Sequence, residues 1–335
     1  MIPMEDVAAM PSNVLVTGAT GCIGSALVRA LVARGDSVRA LALPGENCSD
    51  LASLGVEVHR GDLAVSESIR GLADRIDTVY HLAGRVTDWG RRKIFYRDIY
   101  DATKNLLEES GGKVSRFVYV SSIAAFGMGR PLRGVRETDP VRKTGHPYND
   151  AKCDAERLVR EYHELGAMTC VIVRPSNVIG PGSVWVRDPL SRMRSMPIPL
   201  IDGGKWSAGF VSVESLVDGI IRAGNMDVAA GRVYHFRDDW DVTWRKYLTD
   251  LSALIGKRPG VSVPFRVAWI LGSFFERVLT PLGLRPPFTR LTVSAMGQDN
   301  DVDTSLAKKE LGWRTLVSYE ETMRGISEWM KNEFR

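Results

Sequence analysis

Residues 13–35 read "NVLVTGATGCIGSALVRALVARG", and the change of period inside this stretch decides the fold. Asn13 to Ala19 is a short β-type run, nearly continuous in apolar residues, as suits a strand buried on both faces. From Ile23 onward the apolar residues recur at 23, 27, 28, 31 and 32, a helical stripe that Gly35 closes as a C-cap. Between the two, Gly18, Gly21 and Gly24 stand three apart. A turn without Cβ atoms lets the backbone approach a phosphate, whose charge meets free N–H groups at the helix start. The spacing differs from Gly-x-Gly-x-x-Gly, so the same physics operates with a shifted first glycine. Strand, phosphate-binding turn and helix are expected here, with Thr20, Cys22 and Ile23 completing the turn.

The alternation repeats along the first half of the chain. "SVRALAL" (37–43), "VEVHRGD" (56–62), "DTVYHLAG" (77–84), "RFVYVSS" (116–122) and "TCVIVRP" (169–175) read as further strands, separated by helical patterns. Strand, helix, strand, repeated, predicts an α/β protein with a Rossmann-type doubly wound parallel sheet. After "RPSNVIGPG" (174–182) Pro, Gly and Trp become frequent and the strands short. The expectation is a dinucleotide-binding domain over 1–175 and a smaller, mainly substrate-binding C-terminal lobe over 176–335. One strand near "GRVYHFR" (231–237) should return to the main sheet.

Composition bounds the function. In 335 residues, 44% hydrophobic and 25% charged with a net charge of +4, the chain is an ordinary globular protein with no charge excess for nucleic acid. The short cluster Arg91-Arg92-Lys93 reads as a solvated face. Four scattered cysteines, Cys22, Cys48, Cys153 and Cys170, form no Cys-x-x-Cys and no metal spacing, which suits a reducing, cytoplasmic setting and predicts no metal site. "MIPMEDVAAMPSN" lacks the basic and apolar regions of a signal peptide. No apolar run reaches the eighteen or so residues of a membrane span.

The end of the second strand bears on the cofactor. An NAD enzyme of this architecture usually carries an acid there for the adenosine ribose diol. Here stand Ala42 and Leu43, with no carboxylate until Glu46. Arg39 is available for a 2′-phosphate, so NADP is the expected cofactor, with NAD the alternative. Asp62 in "RGDL" is positioned either to accept a hydrogen bond from the adenine amine or to cap a helix.

In "HPYNDAKCDAERLVREY" (146–162), Tyr148 and Lys152 are four apart and share a helix face. Together with "TGATGCIG", "GDL", "VYHLAG", "FVYVSSIAAFG", "RPSNVIGPG", "FVSVESLVDGI" and "AKKELGW", this motif resembles the extended short-chain dehydrogenase/reductase family over nearly the whole chain. The stretches 86–108, 242–264 and 285–313 most resemble its 3β-hydroxysteroid dehydrogenase branch, which includes sterol 4-carboxylate dehydrogenases and 2-alkyl-3-oxoalkanoate reductases. The resemblance implies Tyr148 as the acid or base and Lys152 as the ribose holder that lowers the tyrosine pKa. It implies Ser122, or alternatively Ser121, as the donor to the substrate oxygen. It also implies cofactor contacts from Leu63, Leu82, Ala83, Gly84, Pro175 and Ser176, and a homodimer.

Some residues depart from the family pattern or carry a plain reading. "DIYDAT" places Asp98 where the family commonly has asparagine, read as a structural substitution rather than a changed proton relay. His81 reads as a buried strand-end histidine, and His146 as a loop residue or a substrate contact. "FRVAWILGSFFERVLTPLGL" (265–284) fits three roles: a cover over a hydrophobic substrate, a core helix, or a helix lying on a lipid surface as a peripheral membrane contact. The reading that results is an oxidoreductase interconverting a secondary alcohol and a ketone on a hydrophobic, sterol- or β-keto-lipid-like substrate. Its rivals are a nucleotide-sugar epimerase or dehydratase with tightly held NAD, and a non-catalytic dinucleotide sensor.

Overall fold

The computed structural model describes residues 11–333; most of the N-terminal stretch read for a signal peptide lies outside them. Seven strands form the main sheet: β1 (Asn13–Thr17), β2 (Ser37–Ala42), β3 (Glu57–Arg60), β4 (Thr78–His81), β5 (Arg116–Val120), β6 (Thr169–Pro175) and β7 (Val233–Phe236). Their spatial order is β7-β6-β5-β4-β1-β2-β3, and every neighbouring pair is parallel. All six strands expected before residue 176 are present, and the strand expected near 231–237 returns beside β6.

The near-continuous apolar runs arise because both faces of this sheet are covered. Val14, Val16, Val118, Val120, Val171 and Val173 belong to one buried cluster. Leu15, Phe117, Tyr119, Cys170 and Ile172, the alternate positions of the same strands, belong to the other. Each strand thus contributes to two cores at period two. Helices Cys22–Arg34 and Val213–Asn225 pack on the first face; Ala102–Ser110 and Pro147–Glu164 pack on the second.

The chain reverses direction across the sheet between β1 and β4. There the strand order switches and a crevice opens beyond the carboxyl ends. A third buried cluster, built on Trp244, Phe210, Tyr247 and Leu190, forms the C-terminal lobe over that crevice. The Trp244 and Phe210 rings meet edge-on at 5.3 Å. The short parallel pair Asn177–Ile179 with Phe210–Ser212 ties this lobe to the end of β6. No helix among the described residues is long and apolar enough to cross a membrane.

Candidate active site

The strand ends and the lobe enclose one continuous cleft of about 2020 Å³. At its floor, Gly18 adopts φ +70°, and a Cβ there would stand 2.9 Å from the Ala83 backbone nitrogen. A Cβ on Gly24 would stand 2.0 Å from the Gly18 carbonyl oxygen. Both positions require glycine, one for the turn and one for the close seating of helix Cys22–Arg34 on it. That helix starts at Gly21 with no side-chain cap and no acid in its first turn. Its first N–H groups therefore face the cleft with the positive end of the helix dipole. Thr20, Gly21, Cys22, Ile23 and Gly24 line the cleft here, a cradle that fits a pyrophosphate.

The ribose end differs from expectation. Arg39 sits three residues before the end of β2, roughly 10 Å back along the strand. Its guanidinium donates to the carbonyls of Leu72 (2.9 Å) and Asp74 (3.0 Å) and pairs with Glu57 at 2.9 Å. The expectation that Arg39 reads a 2′-phosphate is therefore corrected: the side chain serves the sheet edge, and Leu41, Leu43 and Glu46 line the cleft in its place. A tight turn with Gly45 at φ +87° folds Glu46 back onto the strand end. The Glu46 carboxylate accepts from Leu43 N–H at 2.8 Å and from Thr20 Oγ1 at 3.2 Å.

Asp62 and Leu63 line the cleft beside it. The Asp62 carboxylate accepts from Ala64 N–H at 2.9 Å and pairs with Arg97. It does not cap a helix, since the next helical turn begins at Ser66 behind Val65.

Leu82, Ala83 and Gly84 continue β4 along the cleft, and Pro175 and Ser176 close it from the end of β6. His81 is fully buried between Thr17 Oγ1 (2.8 Å) and Thr103 Oγ1 (3.0 Å). Burial, and then the Lys152 charge, push its pKa down to about 3, so it is neutral and structural.

Helix Pro147–Glu164 carries Tyr148, Lys152 and Glu156 on one face, four residues apart each time. Pro147 occupies its first turn. Asn149 fixes the start by donating to the carbonyls of Ala124 (2.7 Å) and Arg142 (3.1 Å). Ser122, at the end of β5, accepts from Ala124 N–H at 3.1 Å, which leaves its own proton free to donate. Tyr148 lies beside it, and the Ser122 hydroxyl pulls the phenol pKa down. Ser121 is occupied elsewhere: its hydroxyl donates to Glu156 Oε1 at 2.6 Å, and Arg174 pairs with the same carboxylate through Nε (2.9 Å) and Nη2 (2.6 Å). Both serines line the cleft, and Ser121 is the one whose proton is committed to a carboxylate.

Lys152 is 4% exposed. Its ammonium donates to the Val120 carbonyl at 2.8 Å and lies 4.8 Å from the centre of the Tyr119 ring. Burial pushes its pKa down to about 8, with Glu156 opposing. Burial raises the Tyr148 phenol above its ordinary 10, and the Ser122 hydrogen bond pulls it partway back. Desolvation is the larger effect, so the phenol holds its proton at neutral pH.

The substrate side of the cleft is mainly apolar, with Met128, Trp185, Ile198, Val261, Phe288 and Leu291 along its walls. Its polar rim was missed by the sequence reading. Asp88 accepts from Thr289 Oγ1 (3.0 Å) and Thr292 Oγ1 (2.8 Å) and pairs with Arg285 at 3.2 Å, joining the β4 loop to the lobe. Nothing in the local sequence signals this link, which spans some two hundred residues. Asp98, which lines the cleft, pairs with Arg85 at 2.8 Å inside a π-helical turn, Tyr96–Asp101. His146 is buried with Nε2 3.3 Å from the Asp88 carbonyl, and it does not line the cleft.

A doubly wound sheet, an uncapped glycine cradle and a convergent Ser-Tyr-Lys set define the class as a dinucleotide-dependent oxidoreductase fold. Residues 14–235 match the NAD dependent epimerase/dehydratase family, and the chain belongs to it. It is 30% identical over 320 residues to a 4-hydroxy-2-methyl-3-oxo-4-farnesyl-3,4-dihydroquinoline-1-oxide ketoreductase of Stigmatella aurantiaca, covering 93% of this chain and 94% of that protein. It is 25% identical to a 2-alkyl-3-oxoalkanoate reductase of Shewanella oneidensis, covering 96% and 87%. Among solved structures, MoeE5 in complex with UDP-glucose and NAD shares the fold at a TM-score of 0.72 and 22% identity, covering 96% and 100%.

Proposed function

We propose that the protein reduces a ketone to a secondary alcohol, or the reverse, on a hydrophobic substrate of β-keto-lipid or sterol type. The observation that carries this reading is the placement of Tyr148, Ser122 and Lys152 at the junction of the dinucleotide cradle and an apolar cleft wall. Bound in that cleft, the nicotinamide supplies a hydride for reduction or accepts one in oxidation. Ser122 donates a hydrogen bond to the substrate oxygen where negative charge develops. Tyr148 delivers the proton to that oxygen in reduction and removes it in oxidation. Lys152 orients the nicotinamide ribose and places a cation beside the phenol. Gly18, Thr20, Gly21, Cys22, Ile23 and Gly24 hold the pyrophosphate, and Leu82, Ala83, Gly84, Pro175 and Ser176 flank the nicotinamide half.

The cofactor reading changes with Arg39 turned away. A carboxylate at the strand end suits a ribose diol and repels a 2′-phosphate, so Glu46 favours NAD over NADP. The reductase relatives support the ketone substrate, and the apolar walls support its hydrophobic character. The second reading, a nucleotide-sugar epimerase, draws on the family description. Against it, Arg285, a cation suited to a diphosphate, is already paired with Asp88 and Asp188.

The test is NADH and NADPH consumption with ethyl 2-methyl-3-oxobutanoate and longer-chain 2-alkyl-3-oxo esters, run beside UDP-glucose conversion. Turnover of the oxo esters, rising with chain length, is expected. Conversion of UDP-glucose without any ketone reduction would replace this reading with the epimerase.

A further inference from the structure

Helix Phe265–Leu279 has one packed face and one bare one. Ala268 and Gly272 are buried, Gly272 faces the Thr289–Arg290 backbone that leads into helix Arg290–Gly297, and Trp269 closes on Gly129. On the other side Val267, Ile270, Leu271, Phe274 and Val278 are all exposed, Ile270 at 67% and Phe274 at 57%. At 100° per residue these five form a single stripe along the helix. Leu282 (68%) and Leu284 (55%) extend it through the following turn. The helix is therefore not a core element, and residues 265–284 do not line the cleft. A contiguous apolar face of this kind marks an interaction surface.

Charge selects the partner. Arg266 and Arg277 fall on one margin of the stripe, within about 20° of each other around the helix axis. Both are exposed, as is Arg258 ahead of the helix. The one acid in the segment, Glu276, is turned inward and accepts from Arg290 N–H (2.6 Å) and Nε (2.7 Å). The bare face thus offers apolar side chains and cations, with no exposed carboxylate. Against a second copy it would bring arginines together unpaired. Against a lipid surface the apolar stripe enters the acyl boundary while the arginines reach anionic headgroups.

We infer that the face formed by helix Phe265–Leu279 and the turn to Leu284 docks the protein on an anionic lipid surface. Val261 before the helix and Arg285 to Phe288 after it line the cleft. Docking therefore sets the cleft wall beside the membrane, where an apolar substrate would partition. The surface stands independently of the substrate reading.

The experiment is flotation of the full chain with vesicles of phosphatidylcholine alone and with about 30% phosphatidylglycerol, at low and high salt. Binding to the anionic vesicles that weakens with salt is expected. Phe274→Glu with Ile270→Glu should abolish it. Arg266→Gln and Arg277→Gln should each weaken it about fivefold. Dinucleotide affinity, measured in parallel, should be unchanged in all three variants, which shows that they fold. Absent binding, or binding untouched by the substitutions, overturns the inference. So does a concentration-dependent dimer that the same glutamates disrupt, since the face would then be a contact between copies.

Discussion

Lys152 donates its ammonium proton to the Val120 carbonyl oxygen at 2.8 Å, so the candidate ribose-holding cation is anchored to the strand that ends in Ser122. The ammonium is buried, and the carboxylate whose charge supports it, Glu156, is spent on Arg174 and Ser121. Such a charge costs stability and is kept for function.

Replacing Lys152 with methionine should therefore stabilise the fold while disabling it. A pKa moved from 10.5 to about 8 corresponds to about 3 kcal/mol at neutral pH. The unfolded chain binds the extra proton between pH 8 and 10.5, so the penalty is fully present below that window and fades as pH rises through it. Urea denaturation should show Lys152→Met more stable at pH 7, with the advantage shrinking by pH 10. Its dinucleotide affinity should fall.

Glu156→Gln should do the opposite. The Arg174–Glu156 pair is 1% exposed on both sides, and removing one partner strands the other charge, at about 3–5 kcal/mol. The same change withdraws the charge that supports the Lys152 proton, so Lys152 should titrate lower still.

The pH profile of ketone reduction separates the two titrating groups. Tyr148, raised above its ordinary 10, keeps its proton through neutral and mildly alkaline pH. Lys152, at about 8, loses its charge first. A falling limb in kcat/KM near pH 8 is expected, and it should move upward in Lys152→Arg. A limb only above pH 10 would assign control to the tyrosine instead.

Cofactor choice should follow Glu46 and ignore Arg39. Arg39→Ala is expected to leave the ratio of NADH to NADPH affinities unchanged. Glu46→Gln should move it toward NADPH by about tenfold, the equivalent of 1.4 kcal/mol. A collapse of NADPH binding in Arg39→Ala would reinstate the original expectation.

What the sequence disclosed follows from burial. Strands such as "RFVYVSS" and "TCVIVRP" show as apolar runs because helices cover both faces, and the glycine spacing shows because two Cβ atoms would collide at Gly18 and Gly24. The plain reading of His81 holds because its flanking threonines lie at strand and helix positions that a buried histidine needs. Arg39 misled because sequence gives the strand but not which end of it a side chain serves. Glu46 was passed over because a Pro44-Gly45 turn, invisible to a strand-end rule, brings it back three residues later. Ser121 and Ser122 could not be told apart until Glu156, thirty-five residues away, was found holding the first.

The most direct test is the rate of NADH-dependent reduction of a 2-alkyl-3-oxo ester by Tyr148→Phe, with NADH binding followed by fluorescence in the same preparations. The phenol's proton is expected to be worth about 10² to 10⁴ in rate, with NADH affinity unchanged. A Tyr148→Phe protein that reduces the ester at the wild-type rate would contradict the assignment of Tyr148 as the proton donor.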